Sequence, residues 1–260
     1  MTFPRQNPRI PEGINNPAAH PLRELIFLGL GLCALLLLAG VLIWAVLTRS
    51  AQWIPVSWEA RIAPEISTAA DYQASRQKLQ KRLDHLLAAM YIRPEVDFDP
   101  DVKVTLNIVE SDEPNAFATL GPQIFITTAL LSDLRSETGL DMVLAHEAAH
   151  IVHRDPIRTM AGTLGIHLLM SMITGNTQVS ALTGSGSQLL LLSYSREQEM
   201  AADDLALKTL YQVHGTLSGA DEFFQQILSK DNNLPSFLLT HPHPQERIEH
   251  IRQMMQQYDF

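Results

Sequence analysis

Residues Leu25 to Leu47 read LIFLGLGLCALLLLAGVLIWAVL, 23 positions without a charged side chain. As a helix rising about 1.5 Å per residue, this stretch reaches roughly 34 Å, enough to cross the hydrocarbon core of a bilayer. A cleavable signal sequence has a shorter apolar core, about 7 to 15 residues, followed by small residues. Trp44, Thr48 and Arg49 stand there instead, so an uncleaved anchor is expected. Leu32 precedes Cys33 where a lipid-attachment signal would place a small residue, which argues against lipidation.

The anchor divides the chain into four parts. Residues 1–24 carry Pro4, Pro8, Pro11, Pro17 and Pro21 with almost no apolar periodicity, and are expected to be a disordered tail. Residues 25–47 are the span, 48–66 a juxtamembrane linker, and 67–260 a domain long enough for its own core. Arg5, Arg9 and Arg23 precede the span against Arg49 and Arg61 after it, which favours an N-terminus held inside. The chain has a net charge of −9, and residues 67–260 alone about −10, which argues against nucleic acid as a partner. The one cysteine lies in the span, excluding a disulfide scaffold or a thiolate zinc cluster in the domain.

After the span, Trp53 and Trp58 fit either a membrane interface or packing on the domain. From Thr68 to Met90, Leu79, Leu83, Leu86 and Leu87 recur at helical spacing, predicting a packing helix. Asp101–Glu110 and Gln123–Leu131 alternate and are rich in β-branched residues, predicting two strands of a small sheet joined by a loop through SDEPNAFATLGP. The acids of DFDPD, from Asp97, lack the glycine and terminal glutamate of an EF-hand and read as a solvated turn. Thr159 to Ser195 carries no formal charge and fits either a buried helix or an apolar flap resting on the bilayer or on substrate.

The chemistry concentrates in VLAHEAAHIVH, Val143 to His153. On a helix, His146 and His150 project within about 40° of each other one turn apart, so both imidazoles can reach one zinc ion. Glu147 points to one side of that pair, where it can serve as general base toward a metal-activated water. Zinc needs one more protein donor, and SREQEMAADDLALKTL from Ser195 offers it. Glu199 can ligate, Asp203 one turn on can accept a proton from a ligating imidazole, and Arg196 could position a carboxylate. His153 shares the face of the pair but stands nearly a turn beyond it, and reads as a capping or salt-bridging histidine. His85, His214 and His250 have no ligand-like partners in sequence.

HEAAH followed by SREQEMAAD resembles the gluzincin peptidases of the HtpX and CAAX prenyl protease family, whose pattern is H-E-x-x-H and then E-x-x-A-D. Asn115–Phe117 before QIFITT, and THPHPQERI from Thr240, match two further segments of that family in the same order. The metzincin pattern would instead need glycine where His153 stands and histidine where Pro156 stands. The resemblance implies an α+β fold: a mostly helical zincin-like metallopeptidase domain with a small β-sheet, preceded by one transmembrane helix. It implies one zinc ion held by His146, His150 and Glu199, with Glu147 as base and Asp203 orienting a ligand. His241 would either steady the oxyanion or occupy the open coordination position, and Arg247 would support that segment or the oxyanion.

The implied activity is zinc-dependent endopeptidase cleavage of misfolded or damaged envelope proteins, from a single-pass inner-membrane protein with its catalytic domain in the periplasm. Gln123–Thr128 is expected to pair with extended substrate as an added strand. The alternative is a membrane-anchored chaperone or assembly factor whose zinc site is held shut. Prenyl-peptide cleavage is disfavoured, because those relatives build a multi-span chamber and this chain has one clear span. The oligomeric state is left open.

Overall fold

A computed structural model describes residues 20–63, 65–174, 193–229, 237 and 240–258. It separates into two compact units, residues 1–43 and residues 44–260. The first contains most of helix α1 (Pro21–Ser50), which opens on a proline where its missing N–H costs nothing. Among the described residues α1 is the one helix long and apolar enough to cross a membrane, and its leucines are exposed along its length.

The second unit begins with the last two turns of α1 and continues through α2 (Val56–Ile62). This juxtamembrane stretch is tied to the domain: buried Glu59 lies 2.5 Å from Arg154, which also donates to the Ile54 carbonyl. Burial raises the Glu59 carboxyl above its ordinary value, and Arg154 offsets part of that. Trp53 and Trp58 are 74% and 61% exposed, so packing on the domain is not what these rings do.

Helix α3 (Gln73–Tyr91) buries Leu79, Leu83, Leu86, Leu87 and Met90, as the leucine spacing predicts. The sheet has three strands in the order β1–β3–β2, with β1 (Thr105–Val109) parallel to β3 (Gln123–Thr127) and β2 (Ala116–Thr119) antiparallel to it. Three sequence expectations change here. The second strand stops at Thr127, whose hydroxyl accepts from the Leu130 backbone N–H and starts helix α4 (Thr128–Asp133). The expected loop through Asn115 contains strand β2, because Phe117 stacks on its cross-strand neighbour Phe125 with ring centres 5.3 Å apart. Finally, β3 is central and both of its edges are paired, so it cannot take up a substrate strand; β1 and β2 are the edge strands.

Helix α5 (Glu137–Val152) is capped by the Ser136 hydroxyl, which accepts from Gly139 N–H. It is buried on every side from Asp141 to Val152, because α3, α7, α8 and the sheet enclose it. Helix α6 (Asp155–Thr174) follows after Arg154, which takes a left-handed conformation at φ 61° and breaks the helix sharply. Helix α7 (Arg196–His214) starts with a capping box between Ser195 and Gln198 and ends at Gly215, φ 71°, where a side chain would be strained. Helices α8 (Glu222–Ser229) and α9 (Pro244–Tyr258) close over the crossing of α5 and α7. DFDPD is an exposed turn in which Asp99 accepts from the Asp101 backbone.

Candidate metal centre

Where α5 and α7 cross, His146 and His150 of α5 face Glu199 in the first turn of α7, and His241 enters from the segment before α9. One donor atom from each of the four lies within 4.8 Å of every other, and all four residues are buried. The His146 and His150 Nε2 atoms are 3.0 Å apart, and His241 Nδ1 lies 3.0 Å from Glu199 Oε1. Glu199 oxygens stand 3.5 Å from His146 Nε2 and 3.4 Å from His150 Nε2.

Both imidazoles of α5 are oriented from behind. His146 Nδ1 meets Asp203 Oδ1 at 2.9 Å, one helical turn after Glu199. His150 Nδ1 meets Asp155 Oδ2, also at 2.9 Å, and Asp155 Oδ1 accepts from Gln198 Nε2 at 2.9 Å. With each Nδ1 proton donated to a carboxylate, the two Nε2 lone pairs point at each other, an arrangement that calls for positive charge nearby, part of which Arg247 Nη2 supplies at 3.2 Å from His146 Nε2. Arg247 is fully buried, donates twice to Asp203 at 2.7 Å, pairs with Glu199, and lies 4.7 Å over the Phe224 ring.

Charge accounting leads to the same requirement. Glu147, Asp155, Glu199 and Asp203 are all essentially inaccessible to solvent, and Arg247 is the one buried cation among them. Four buried carboxylates against one guanidinium are costly unless further positive charge is bound. Burial opposes ionisation of Glu199, but His241, Arg247 and the imidazoles hold its carboxyl far below the usual range. Arg247 likewise overcomes burial at Asp203 and draws it down to about 2. Burial lowers His150, yet its bonds to Asp155 and Glu199 push it up to about 10, so the site binds positive charge even as a proton. His241 is held below its ordinary value by burial, against the pull of Glu199 and Glu147, and offers a neutral imidazole. A soft-to-borderline divalent ion with three imidazoles and one carboxylate is what this donor set fits, and zinc suits it.

Glu147 is buried beside the four donors and neither of its oxygens makes a hydrogen bond; His241 Nε2 stands 3.5 Å from Oε1. A carboxylate held this way is ready to accept a proton from a small molecule placed next to it. His241 is itself braced, stacked on Phe237 with ring centres 4.3 Å apart.

All seven sequence-derived site residues thus meet in one place. Arg247 faces the carboxylates of α7, where it braces Asp203 and Glu199. Arg196 pairs with Glu246 at the surface and touches no site carboxylate. His153 is the C-cap residue of α5, as expected, with its backbone N–H donating to the Ala149 and Ile151 carbonyls; its ring Nδ1 has no hydrogen-bond partner, and burial lowers its pKa. His214 and His250 do have carboxylate partners, Asp141 and Asp204 at 2.7 and 2.6 Å. His243 is exposed, at φ 63°.

Sequence reasoning missed three side chains. Asp155 and Gln198 form the chain behind His150, and Tyr194 stacks on His150 with ring centres 4.0 Å apart. Tyr194 also donates to the Ala118 carbonyl, at 3.4 Å, so the outward edge of β2 reaches the metal centre. The acid at Asp155, two residues after His153, was the visible signal for the first.

Residues 73–255 match the profile of peptidase family M48. The β-barrel assembly-enhancing protease of Escherichia coli K12 is 28% identical over 161 residues, covering 56% of this chain and 33% of that protein. The mitochondrial metalloendopeptidase OMA1 of Schizosaccharomyces pombe is 28% identical over 163 residues, covering 60% and 48%. A protease HtpX homolog of Acidiphilium cryptum is 29% identical over 228 residues, covering 71% and 76%. The match thus takes in only about a third of the assembly-enhancing protease and about half of OMA1. With most of its length on that profile and its buried donors in the order the motifs require, the chain belongs to peptidase family M48, a family of zinc-dependent metalloendopeptidases.

Proposed function

We propose that this protein is a membrane-anchored zinc metalloendopeptidase that hydrolyses peptide bonds of misfolded or damaged envelope proteins. The carrying observation is the convergence of His146, His150 and Glu199 with an unbonded Glu147 carboxylate beside them. His146, His150 and Glu199 would hold the ion, which, when bound, supplies a Lewis acid that polarises a peptide carbonyl and acidifies a water molecule. Glu147 accepts the proton of the attacking water on a free carboxylate oxygen and returns it to the leaving nitrogen. Asp203 and Asp155 keep the imidazoles in the tautomer that presents Nε2, and Arg247 holds Asp203 and Glu199 in place.

Substrate specificity on this reading comes from backbone pairing. Strand β2 is an edge strand whose Ala118 carbonyl is held by Tyr194 beside the metal centre, so an extended chain that displaces Tyr194 could add there with little preference for sequence. Unfolded segments carry unpaired backbone groups and folded proteins largely do not, which suits a quality-control substrate. The arginine excess before the span supports an anchor at 25–47 with its N-terminus inside and a periplasmic peptidase domain at 67–260.

One observation favours a second reading. His241 supplies a fourth donor, leaving no protein-free position in a tetrahedral site. A site closed in this way suits an assembly factor or chaperone in which hydrolysis is rare, and one relative carries assembly enhancement in its name. The test is metal analysis and casein hydrolysis by the full-length protein in detergent, with and without Glu147→Gln. About one zinc per chain in both forms, with hydrolysis only in the unmutated one, is expected. Absence of zinc from the unmutated protein overturns the proposal; zinc without hydrolysis in either form turns it toward the assembly factor.

A further inference from the structure

The metal centre leaves α6 unexplained. Its first half packs inward: Ile157 and Ala161 are buried with Ala51 and Leu120 in a small core of their own. Gly162 and Gly165 then press on the end of α1. A methyl group on Gly162 would come within 3.0 Å of Trp44 and Thr48, and one on Gly165 within 3.2 Å of Leu47 and 3.4 Å of the Trp44 backbone. These contacts define a direction: as α6 advances from Ile157 to Gly165, its partners move back from Ala51, just past the end of α1, to Trp44 within it. The two helices run antiparallel here, and Trp44 and Leu47 are the final turn of the uncharged run that crosses the bilayer.

Beyond Gly165 the helix therefore points toward the membrane, and its surface changes character. Ile166 is 53% and Leu168 is 42% exposed, and no formal charge occurs from Thr159 to Thr174. Elsewhere in this unit, outside α6 and residues 44–62, the exposed large apolar side chains among the described residues are Tyr72, Ile92 and Tyr211, each on a different element. Residues 166–174 extend about 13 Å at the helical rise, comparable with the depth of an interfacial helix.

We propose that the distal half of α6 is a second membrane contact, seated in the lipid bilayer beside the end of the span. The occupant is phospholipid, because this apolar surface follows directly on the contacts of Gly162 and Gly165 with Trp44 and Leu47, the last turn of the uncharged run, and Trp53 and Trp58 are exposed as aromatic rings that settle between headgroups and tails would be. A cavity of about 650 Å³ lies between the end of α1, α6 and the start of α7, with Trp44 and Ile166 on its wall and Arg158 and His153 further along. Its apolar wall suits a lipid tail, and Arg158 shares the lining with Asp155 and Glu197. The first residue of α6, Asp155, holds His150, so the metal centre sits one helix away from the membrane surface. Substrates would then be met at that surface.

The test places a spin label on the full-length protein in vesicles of phosphatidylethanolamine and phosphatidylglycerol. Cys33→Ser removes the native thiol, and Ile166→Cys, Leu168→Cys and, as a water-exposed control, Gln212→Cys are labelled one at a time. Collision with oxygen, which concentrates in lipid, is compared with collision with a water-soluble nickel chelate. Labels at 166 and 168 should favour oxygen several-fold over the label at 212. A label at 168 that matches the one at 212 overturns the proposal, as does one shielded from both reagents, which would mean that protein covers this face. Zinc content and circular dichroism equal to the Cys33→Ser parent identify variants that have kept their fold.

Discussion

Asp155 is the sharpest place to test how the metal centre is held. Asp155→Asn keeps the size of the side chain and removes its charge. In the native site the two carboxylate oxygens serve two donors, His150 Nδ1 and Gln198 Nε2, each at 2.9 Å. An amide has one acceptor oxygen, so one of those donors must face an NH2 group at a residue only 1% exposed. If His150 loses its partner, the imidazole can turn or change tautomer and the Nε2 lone pair is no longer held toward the site. Removing such a partner lowers metal affinity by about 10- to 100-fold, or about 1.4 to 2.8 kcal/mol. Zinc competition against a fluorescent chelator reads the affinity, and melting at saturating zinc separates it from a loss of fold. A dissociation constant within about twofold of the unmutated protein would refute the role of Asp155 as an orienting group.

Three further outcomes are expected. His241→Ala removes the fourth donor, so casein hydrolysis should rise; a fall would show that His241 works in the reaction. Arg247→Met leaves Asp203 and Glu199 without their cation and should cost about 3 to 5 kcal/mol in the zinc-free protein, with part recovered on adding zinc; equal melting of both proteins in chelator would refute this. Burial opposes ionisation of Glu222, but it accepts from the Ser136 hydroxyl and from the Arg135 and Ser136 backbone N–H groups, the latter at 2.9 and 3.0 Å, and those bonds hold its pKa below the ordinary 4.5. A depressed carboxyl stabilises above its unfolded pKa and loses that effect as pH falls through the folded one, so Glu222→Gln should be less stable near neutrality and converge with the native protein in acid. Solvent screening keeps that difference under about 1 kcal/mol, and denaturant midpoints across pH that stay parallel would contradict it.

What could be read from the sequence was what lies within one regular element. His146 and His150, or Glu199 and Asp203, are four apart on helices, and periodicity alone sets them on one face. The leucines of α3 follow the same rule. Its reach ended where elements meet. Strand β2 is only four residues long, and its existence depends on Phe117 meeting Phe125, a contact made by the fold. The central position of β3 depends on which strands flank it, and no pattern inside Gln123–Thr127 encodes that. The enclosure of α5 on all sides erases the polar face by which a surface helix is recognised.

Asp155 shows the limit most clearly. Continued along one helix at about 100° per residue, a position five after His150 would point roughly 140° away from it. The left-handed turn at Arg154 resets that phase and swings the carboxylate back onto the ring. The partner of a metal ligand is therefore set by a break between helices, and the helix that begins there is also the one whose far half carries exposed apolar side chains. Any shift of α6 against the end of α1 must move Asp155, since Ile157 and Ala161 lock the first half of α6 to that same packing. The geometry of His150 and the seating of α6 are thus properties of one rigid element, and a substitution at Gly162 or Gly165 should be felt at the metal centre, two to three turns away.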